Sequence, residues 1–147
     1  AVIIEAVSSL AGDASYEIDR TAADWSGCCL LAFRGLKFIV DEFLDELPPP
    51  SDALMECCSS FGSARHDVNT SLTAIGLLWT IADQDADSSS IERALDKLVL
   101  LSADCRTEVR NCAANTLFSC IVGKGQSFSN QQWERCICDV VFRVYDQ

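Results

Sequence analysis

The sequence predicts an all-α fold in which antiparallel helix pairs stack into a solenoid-like segment. Apolar residues recur at helical spacing in one segment after another, while period-two alternation over strand-length runs is nearly absent. Capping residues and helix breakers divide the chain into helices of roughly 12–20 residues joined by short loops, which is typical of antiparallel neighbours. A single core is expected, because one domain typically spans about 100–200 residues.

The first part of the chain is punctuated by a glycine and by consecutive prolines. AVIIEAVSSLAG predicts the end of a helix that stops at Gly12, and a polar loop follows. A long helix is predicted from about Ala22 to Leu47, with Thr21 and Asp24 at its N-terminal cap. Three prolines end it, because a residue before proline is disfavoured in the α region. Its apolar residues include Trp25, Cys28, Leu31, Phe38, Ile39, Phe43 and Leu47.

Two helices are predicted in the middle of the chain. Ser51 caps a short one that Gly62 ends, and its apolar stripe is Leu54, Cys57, Cys58 and Phe61. The other, from about Asp67 to Ala82, contains the stretch NTSLTAIGLLWTIAD, which is apolar on several sides. We expect it to be central and buried, with Asn69 as its cap and Trp79 in the core.

Three further helices are predicted towards the C-terminus. Ser89 with Glu92, and Ser129 with Gln132, have the spacing of capping boxes. Asp104 is predicted to cap the helix that lies between the two helices begun by these capping boxes. The last helix is expected to bury Trp133, Cys136, Ile137, Val140, Val141 and Val144.

The segment DCRTEVRNCAANTLF resembles the second helix of a HEAT repeat, with a capping Asp, then Val-Arg, then small residues. Arg106 and Arg110 lie four positions apart on it. We expect them to tie neighbouring repeats together through carboxylates or carbonyl oxygens, rather than to bind a ligand. No clean internal repeat is found by identity. The predicted architecture is therefore an armadillo/HEAT-like α-solenoid segment, and residues 1–147 are expected to form a single helical-repeat module cut from a longer solenoid.

The net charge is −11, and the acidity is concentrated in the first part of the chain. Residues 1–60 carry 11 acidic and 3 basic side chains, whereas residues 61–147 carry 11 and 8. Such a surface repels phosphate backbones and anionic lipid head groups. The composition therefore disfavours nucleic-acid binding and direct polybasic membrane docking, and it is compatible with a basic protein partner. No apolar run approaches the about 18 residues of a membrane span.

The cysteine count is high and odd, and most cysteines lie within apolar helical patterns. We interpret them as reduced thiols that act as small core hydrophobes in a cytosolic protein. Cys136 and Cys138 flank Ile137 and cannot share a helix face, so at most one of the two is expected to be deeply buried. The nine are Cys28, Cys29, Cys57, Cys58, Cys105, Cys112, Cys120, Cys136 and Cys138.

Patterns that could carry chemistry are incomplete. A calcium loop starting at Asp83 would need Gly at its sixth position and Glu at its twelfth, and these are Ser88 and Ala94. His66 is the only histidine, and no Cys-x-x-Cys spacing accompanies it, which disfavours a zinc site. Nothing marks a base that would activate a thiol nucleophile. The sequence therefore predicts no catalytic residue, no metal ligand and no cofactor.

Four carboxylates form the strongest candidate for a binding site. Asp41, Glu42, Asp45 and Glu46, here called the acidic patch, cluster near the C-terminus of the first long helix. Negative charge at that end opposes the helix dipole and costs about 0.3–1 kcal/mol when exposed. A sequence that tolerates this cost can use the patch to bind a basic partner. The alternative interpretation is a merely solvated face.

The order of these segments resembles the Mon-two (monensin-sensitivity) family, which is related to the large Sec-seven Arf guanine-nucleotide exchange factors. The resemblance covers about residues 36–146. NTSLTAIGLLWTIAD is the most characteristic segment, and LKFIVDEFLDELPP, KLVLLSADCRTEVRNCAANTLFSCI and WERCICDVVFRVYD are similar to family helices in the same order. Thr80 departs from the family's Asn after the Trp, and Cys105, Arg106 and Thr107 stand where the family usually has Pro.

The resemblance implies a non-enzymatic scaffold in Golgi and endosome vesicle trafficking, cytoplasmic and peripherally associated with those membranes. The implied partners are a Dopey-like protein and, through it, kinesin or a phospholipid flippase complex; an Arf-family GTPase is a further candidate. The alternative is a regulatory helical region of a large Arf exchange factor, whose parent chain would carry a Sec-seven domain upstream. A small thiol enzyme is disfavoured, and it would require one fast-reacting thiol of low pKa.

Overall fold

The computed structural model describes residues 22–47, 52–65, 67–84 and 88–141, and all the regular structure in these residues is helical. The α-helices are α1 (Ala22–Phe43), α2 (Asp52–Ser63), α3 (Val68–Gln84), α4 (Ser88–Ser102), α5 (Thr107–Lys124) and α6 (Asn130–Arg135). Short 3₁₀ helices follow α1 at Leu44–Glu46 and α5 at Gly125–Ser127, and a π-helix, Cys136–Val141, follows α6. The all-α prediction is confirmed.

Helices that follow each other in the chain pack as pairs, and the pairs stack. α2 packs on α3, and α4 packs on α5. The two pairs meet through contacts of α2 with α4 and of α3 with α5. α1 contacts α2 and α3 on one side of the stack, while the π-helix contacts α4 on the other. The predicted stack of helix pairs is therefore also confirmed.

Helix α3 lies at the centre, in contact with α1, α2, α4 and α5. Ile75, Leu78 and Ile81 are fully buried, and Ala74, Leu77 and Ala82 are buried on neighbouring sides of the same helix. Trp79 is half-buried and packs against the core. The broad apolar surface that the sequence shows for this segment is thus matched by neighbours on several sides, as predicted.

Helix α1 buries one stripe of apolar residues and leaves several other apolar residues of the predicted helix exposed. Cys29, Phe33, Leu36 and Val40, here called the inner stripe, are buried, and the Phe33 ring packs against that of Phe61 at 5.1 Å between centroids. Four of the other apolar residues named for the predicted helix are exposed: Cys28, Leu31, Phe38 and Phe43. The inner stripe is spaced four, three and four positions apart, so it alone forms the core-facing side of the helix.

Three of the predicted caps are wrong. Asn69 does not cap α3, because the Asp67 carboxylate accepts hydrogen bonds from the backbone N–H groups of Asn69 (3.2 Å) and Thr70 (2.9 Å). Asp104 does not cap α5, which begins after Arg106 and has no side-chain cap bond. The carboxylate of Asp104 binds Arg106 instead. Helix α4 begins at Ser88, so Ser89 lies inside its first turn.

The C-terminal part confirms one cap and corrects one core residue. Ser129 and Gln132 form the predicted capping box of α6. Cys136 is buried and Cys138 is exposed, as their spacing required. Ile137, predicted to be buried, is 45% exposed. It lies in the π-helix, whose wider turn shifts side-chain directions away from those of an α-helical stripe.

Some predictions concern residues outside the described ranges, or residues within helices whose side chains the structure does not describe. These are the helix end at Gly12, the caps at Thr21 and Ser51, and the interpretations of Trp25, His66, Val140, Val141 and Val144.

Candidate functional site

Arg106 joins the loop before α5 to the neighbouring pair α2–α3. Its Nη1 donates to the carbonyl oxygen of Ala64 at 2.7 Å and to Ser71 Oγ at 3.1 Å, and its Nη2 donates to the carbonyl oxygen of Gly62 at 3.1 Å. Both carboxylate oxygens of Asp104 hold the guanidinium, at 2.9 Å from Nε and 2.8 Å from Nη2. The prediction that this arginine ties neighbouring helix pairs through carbonyl oxygens is confirmed.

The Asp104–Arg106 pair is largely buried, and its electrostatics favour both charges. Hydrogen bonding to Arg106 is the main cause that lowers the pKa of Asp104, against the opposing effect of desolvation. The same bonds raise the pKa of Arg106, so the guanidinium stays protonated. The same prediction is wrong for Arg110, which binds only locally, to the carbonyl oxygen of Asp104 and to Thr107 Oγ1. All these donors are engaged within the protein, which makes the cluster a structural joint.

An open groove of about 750 Å³ lies beside α4 and α6. Three of its lining residues bind each other: the Glu92 carboxylate accepts from Gln132 Nε2 at 3.0 Å and from Arg135 Nη1 at 2.6 Å. Arg135 Nη2 also donates to Asp96 at 2.9 Å. This network joins neighbouring helices, so the groove is explained by helix packing.

The buried thiols do not have the properties of a nucleophile. Burial raises the pKa of Cys58 well above its usual range and raises the pKa of Cys120 to about 12. Burial also raises the pKa of Cys29, with a smaller contribution from Cys28, and that of Cys136. A catalytic cysteine needs the opposite shift, because the thiolate is the reactive form. These thiols act as core hydrophobes.

No metal-binding group of three His, Cys, Asp or Glu side chains is present within the described ranges. At the start of the calcium-like pattern, the Asp83 carboxylate binds Lys124 Nζ at 2.6 Å. This aspartate thus joins α3 to α5 in the same way as the other charged pairs between neighbouring helices.

The acidic patch lies on the surface at the end of α1. All four of its side chains are exposed, and Asp41 binds Lys37 one turn before it. Within the described residues, no ion pair includes Glu42, Asp45 or Glu46. The structure thus brings three unneutralised carboxylates to one end of α1, and their role in binding a partner stays a prediction.

A second surface adjoins the acidic patch and was not predicted from the sequence. Gly27, Leu31, Gly35, Phe38 and Glu42 follow each other at four, four, three and four positions, so they share one side of α1. We call them the outer face. All five are exposed, and they lie opposite the inner stripe. A signal was present in the sequence: α1 carries more apolar positions than one buried stripe can use.

The two large apolar side chains of the outer face are exposed to an unusual degree. Leu31 is 70% exposed and Phe38 is 57% exposed. The ring of Phe38 packs edge-on against Phe43, with 5.6 Å between centroids. A Cβ added at Gly27 or Gly35 would have nothing within 4 Å. The result is an apolar ridge of Leu31 and Phe38 that is interrupted by open backbone at Gly35, with carboxylates at one end.

Sequence comparison relates this chain to a set of curated proteins. It is 29% identical to Protein MON2 homolog of Xenopus laevis over 79% of this chain, and 29% identical to that of Homo sapiens over the same share. The Drosophila melanogaster protein of the same name is 28% identical over 78%. The matches support a MON2 family relationship. No protein-family model and no solved structure matches the chain.

The MON2 relationship concerns a small part of much longer proteins. The chain spans 9% of the length of each of the three MON2 homologues named above. Monensin-resistant homolog 2 of Caenorhabditis elegans is 26% identical over 78% of this chain. In the part of the chain that the structure describes, none of the helices has the length and apolarity that crossing a membrane requires.

Proposed function

We propose that this chain is one segment of a non-enzymatic helical-repeat scaffold that works in Golgi and endosome vesicle trafficking through protein–protein contacts. The similarity to MON2 homologues over more than three quarters of the chain carries this proposal. The stacked helix pairs support it, since such stacks present long surfaces to partners. In this proposal the protein is cytoplasmic and peripherally associated with Golgi and endosomal membranes, and residues 1–147 are one module of a longer solenoid.

The proposed partner is a Dopey-like protein, with an Arf-family GTPase or a flippase complex as further members of the assembly. The acidic patch is the proposed contact for that partner. Its carboxylates are exposed, and three of them have no ion pair with the described residues, so they are available to a basic surface. Charge complementarity of this kind sets specificity and speeds association more than it sets raw affinity.

Affinity capture from a lysate of the source organism, read by mass spectrometry, tests the proposal. The 147-residue chain is compared with a Glu42→Lys/Glu46→Lys variant, which leaves the Lys37–Asp41 pair intact. The matched control is Glu108→Lys/Glu134→Lys, because these two glutamates are also exposed and lie elsewhere. It changes the net charge by the same amount.

We expect the wild type and the control to capture a Dopey-like protein, and the Glu42→Lys/Glu46→Lys variant to lose it. Capture of an Arf-family GTPase without a Dopey-like protein would replace the scaffold proposal by the exchange-factor alternative. Absence of any specific partner from the wild-type capture would contradict a binding role for this segment.

A further inference from the structure

We propose that the outer face of α1 is a docking surface for a basic amphipathic helix of a partner protein. The inference rests on the proposed function, since it names the surface and the chemistry of one protein contact. It uses observations beyond the acidic patch: the exposed apolar ridge, the open glycines beside it and the charge at its end.

The apolar ridge is the first observation. Leu31 and Phe38 lie seven positions apart on the side of α1 opposite the inner stripe, and no core residue covers them. Phe43 extends the ridge through its edge-on contact with Phe38. Phe38 and Phe43 thus form a contiguous exposed apolar pair; contiguous exposed apolar surface marks contact sites, and aromatic residues are enriched at interfaces.

The glycines indicate that the occupant is a helix. Gly within a helix weakens it relative to Ala, so two on one exposed side are a cost without a local benefit. Gly27 and Gly35 lie four positions to either side of Leu31, with open space above both. Apolar side chains and open backbone therefore alternate along the outer face, in the order Gly27, Leu31, Gly35 and Phe38, and the side-chain ridges of a second helix can pack into such gaps.

The charges indicate that the occupant is basic. Glu42 belongs to the outer face, and Asp45 and Glu46 follow it directly; in the described part of the chain none of the three has an ion pair. Helix α1 itself carries two bases, Arg34 and Lys37, and Lys37 is bound to Asp41, so the three carboxylates outnumber the remaining base of this helix. Carboxylates at the end of α1 also oppose the helix dipole, and lysine or arginine side chains of a partner would relieve both effects.

The first residues of this chain are the competing occupant, and their charge argues against them. Residues 1–21 contain four acidic side chains and one basic side chain. An acidic segment on this end of α1 would add repulsion. A basic partner helix fits the charge, and the apolar side chains of such a helix fit the ridge.

Binding of a defined peptide tests the inference on the full 147-residue chain. The probe is a fluorescein-labelled 14-residue amphipathic helix of leucine and lysine, and the measurement is fluorescence anisotropy at about 150 mM salt, where long-range charge effects are screened beyond about 8 Å. The control peptide has glutamate in place of every lysine. We expect saturable binding of the first peptide and at least tenfold weaker binding of the second.

The apolar contribution is tested by Leu31→Ser/Phe38→Ser, compared with Leu100→Ser/Val122→Ser. The control pair is also exposed, with Val122 at 82%, so it reports nonspecific sticking to apolar surface. We expect the first variant to weaken peptide binding at least tenfold and the control to leave it within twofold. Equal weakening in both, or in neither, would overturn the inference, as would a lack of peptide binding to the wild type.

The charge contribution is tested with the glutamate pairs of the capture experiment. Glu42→Lys/Glu46→Lys should weaken binding of the lysine peptide at least tenfold, whereas Glu108→Lys/Glu134→Lys should have a smaller effect. Equal effects would mean that net charge alone attracts the peptide, which contradicts a docking site. Thermal unfolding of every variant, followed by circular dichroism, verifies that the exposed changes leave the fold intact.

Two further experiments distinguish this inference from coverage of the outer face by the chain's own first residues, and from the proposed function. If the chain's own first residues cover the outer face, Ile3→Asp/Val7→Asp should tighten peptide binding several-fold; we expect no change. Capture of a Dopey-like protein that survives Leu31→Ser/Phe38→Ser would leave the scaffold proposal standing while removing the outer face from it. Peptide binding in vitro does not depend on which cellular partner is captured.

Discussion

Replacing Arg106 with methionine should destabilise the stack more than any substitution of an exposed charge. Methionine keeps much of the aliphatic stem but removes the donors that hold the carbonyl oxygens of Gly62 and Ala64. It also leaves the Asp104 carboxylate without its guanidinium, in a side chain only 11% exposed. Removing one partner of a buried pair costs about 3–5 kcal/mol. Because both side chains retain some contact with water, we expect the lower end, about 3 kcal/mol.

Urea unfolding followed by far-ultraviolet circular dichroism measures this loss directly. For a chain of this size, about 3 kcal/mol corresponds to a fall in Tm of roughly 6–12 °C. Arg106→Lys should lie between the wild type and Arg106→Met, because an ammonium keeps the charge but cannot bond two carbonyl groups and a carboxylate in one plane.

Two companion variants decide whether the joint acts as described. Asp104→Asn combined with Arg106→Met should recover part of the stability, since the unpaired buried charge is then removed. Arg110→Met should cost much less than Arg106→Met, because its hydrogen bonds stay within its own helix pair. A loss below about 1 kcal/mol for Arg106→Met, or a loss equal to that of Arg110→Met, would refute the argument.

Three further predictions follow from burial and close packing. The pKa of Asp104 is lowered in the folded state, so its contribution to stability is present above the unfolded-state pKa of about 3.9 and is lost as pH falls through the lower folded-state pKa. The difference in free energy of unfolding between wild type and Asp104→Asn, measured by urea titration, should therefore be constant near neutral pH and shrink below about pH 4. Gly125→Ala would place a Cβ 2.7 Å from the indole of Trp133 and should lower the free energy of unfolding by about 1–3 kcal/mol, with normal stability counting against that contact. The buried thiols of Cys58 and Cys120 should react with a thiol reagent only as fast as the protein unfolds, and rapid labelling of either in the native state would contradict their placement.

The helices were predictable where local chemistry decides the structure. The capping box of Ser129 and Gln132 fixes the start of α6 through bonds between residues three positions apart, and the structure contains both bonds. The central place of α3 followed from its apolar residues on several sides. Such signals depend on residues that are close in sequence, so they can be recognised from the sequence of a single chain.

Predictions failed where a distant group outcompeted the local one. Asp104 has the right residue type and place for a cap, but its carboxylate binds the guanidinium of Arg106, which is itself held by carbonyl groups more than 40 positions earlier. Leu31 and Phe38 are among the apolar residues named for the predicted helix, but hydrophobic spacing identifies apolar sides without saying which side meets the core. Only the packing of α1 on its neighbours distinguishes the inner stripe from the outer face.

Three charged pairs between stacked helices share one sequence spacing, which a comparison of identical residues does not detect. Asp52 binds Arg93, Glu56 binds Lys97 and Asp83 binds Lys124, and in each pair the two residues are 41 positions apart. HEAT and armadillo repeats have periods of about 40–47 residues. In all three pairs the earlier helix supplies the acid and the later helix the base.

A search for identity at this period compares Asp with Arg, and Glu with Lys, so the contacts that join neighbouring pairs count as mismatches. These pairs are partly exposed, and such pairs contribute only about 0–1 kcal/mol each. These pairs therefore contribute more to the register of stacking than to stability. An acid on one helix meets its base only when the next helix pair stacks in the observed register. These three contacts therefore mark the register in which the helix pairs stack, and identity at this spacing does not detect them because the two residues of each pair differ.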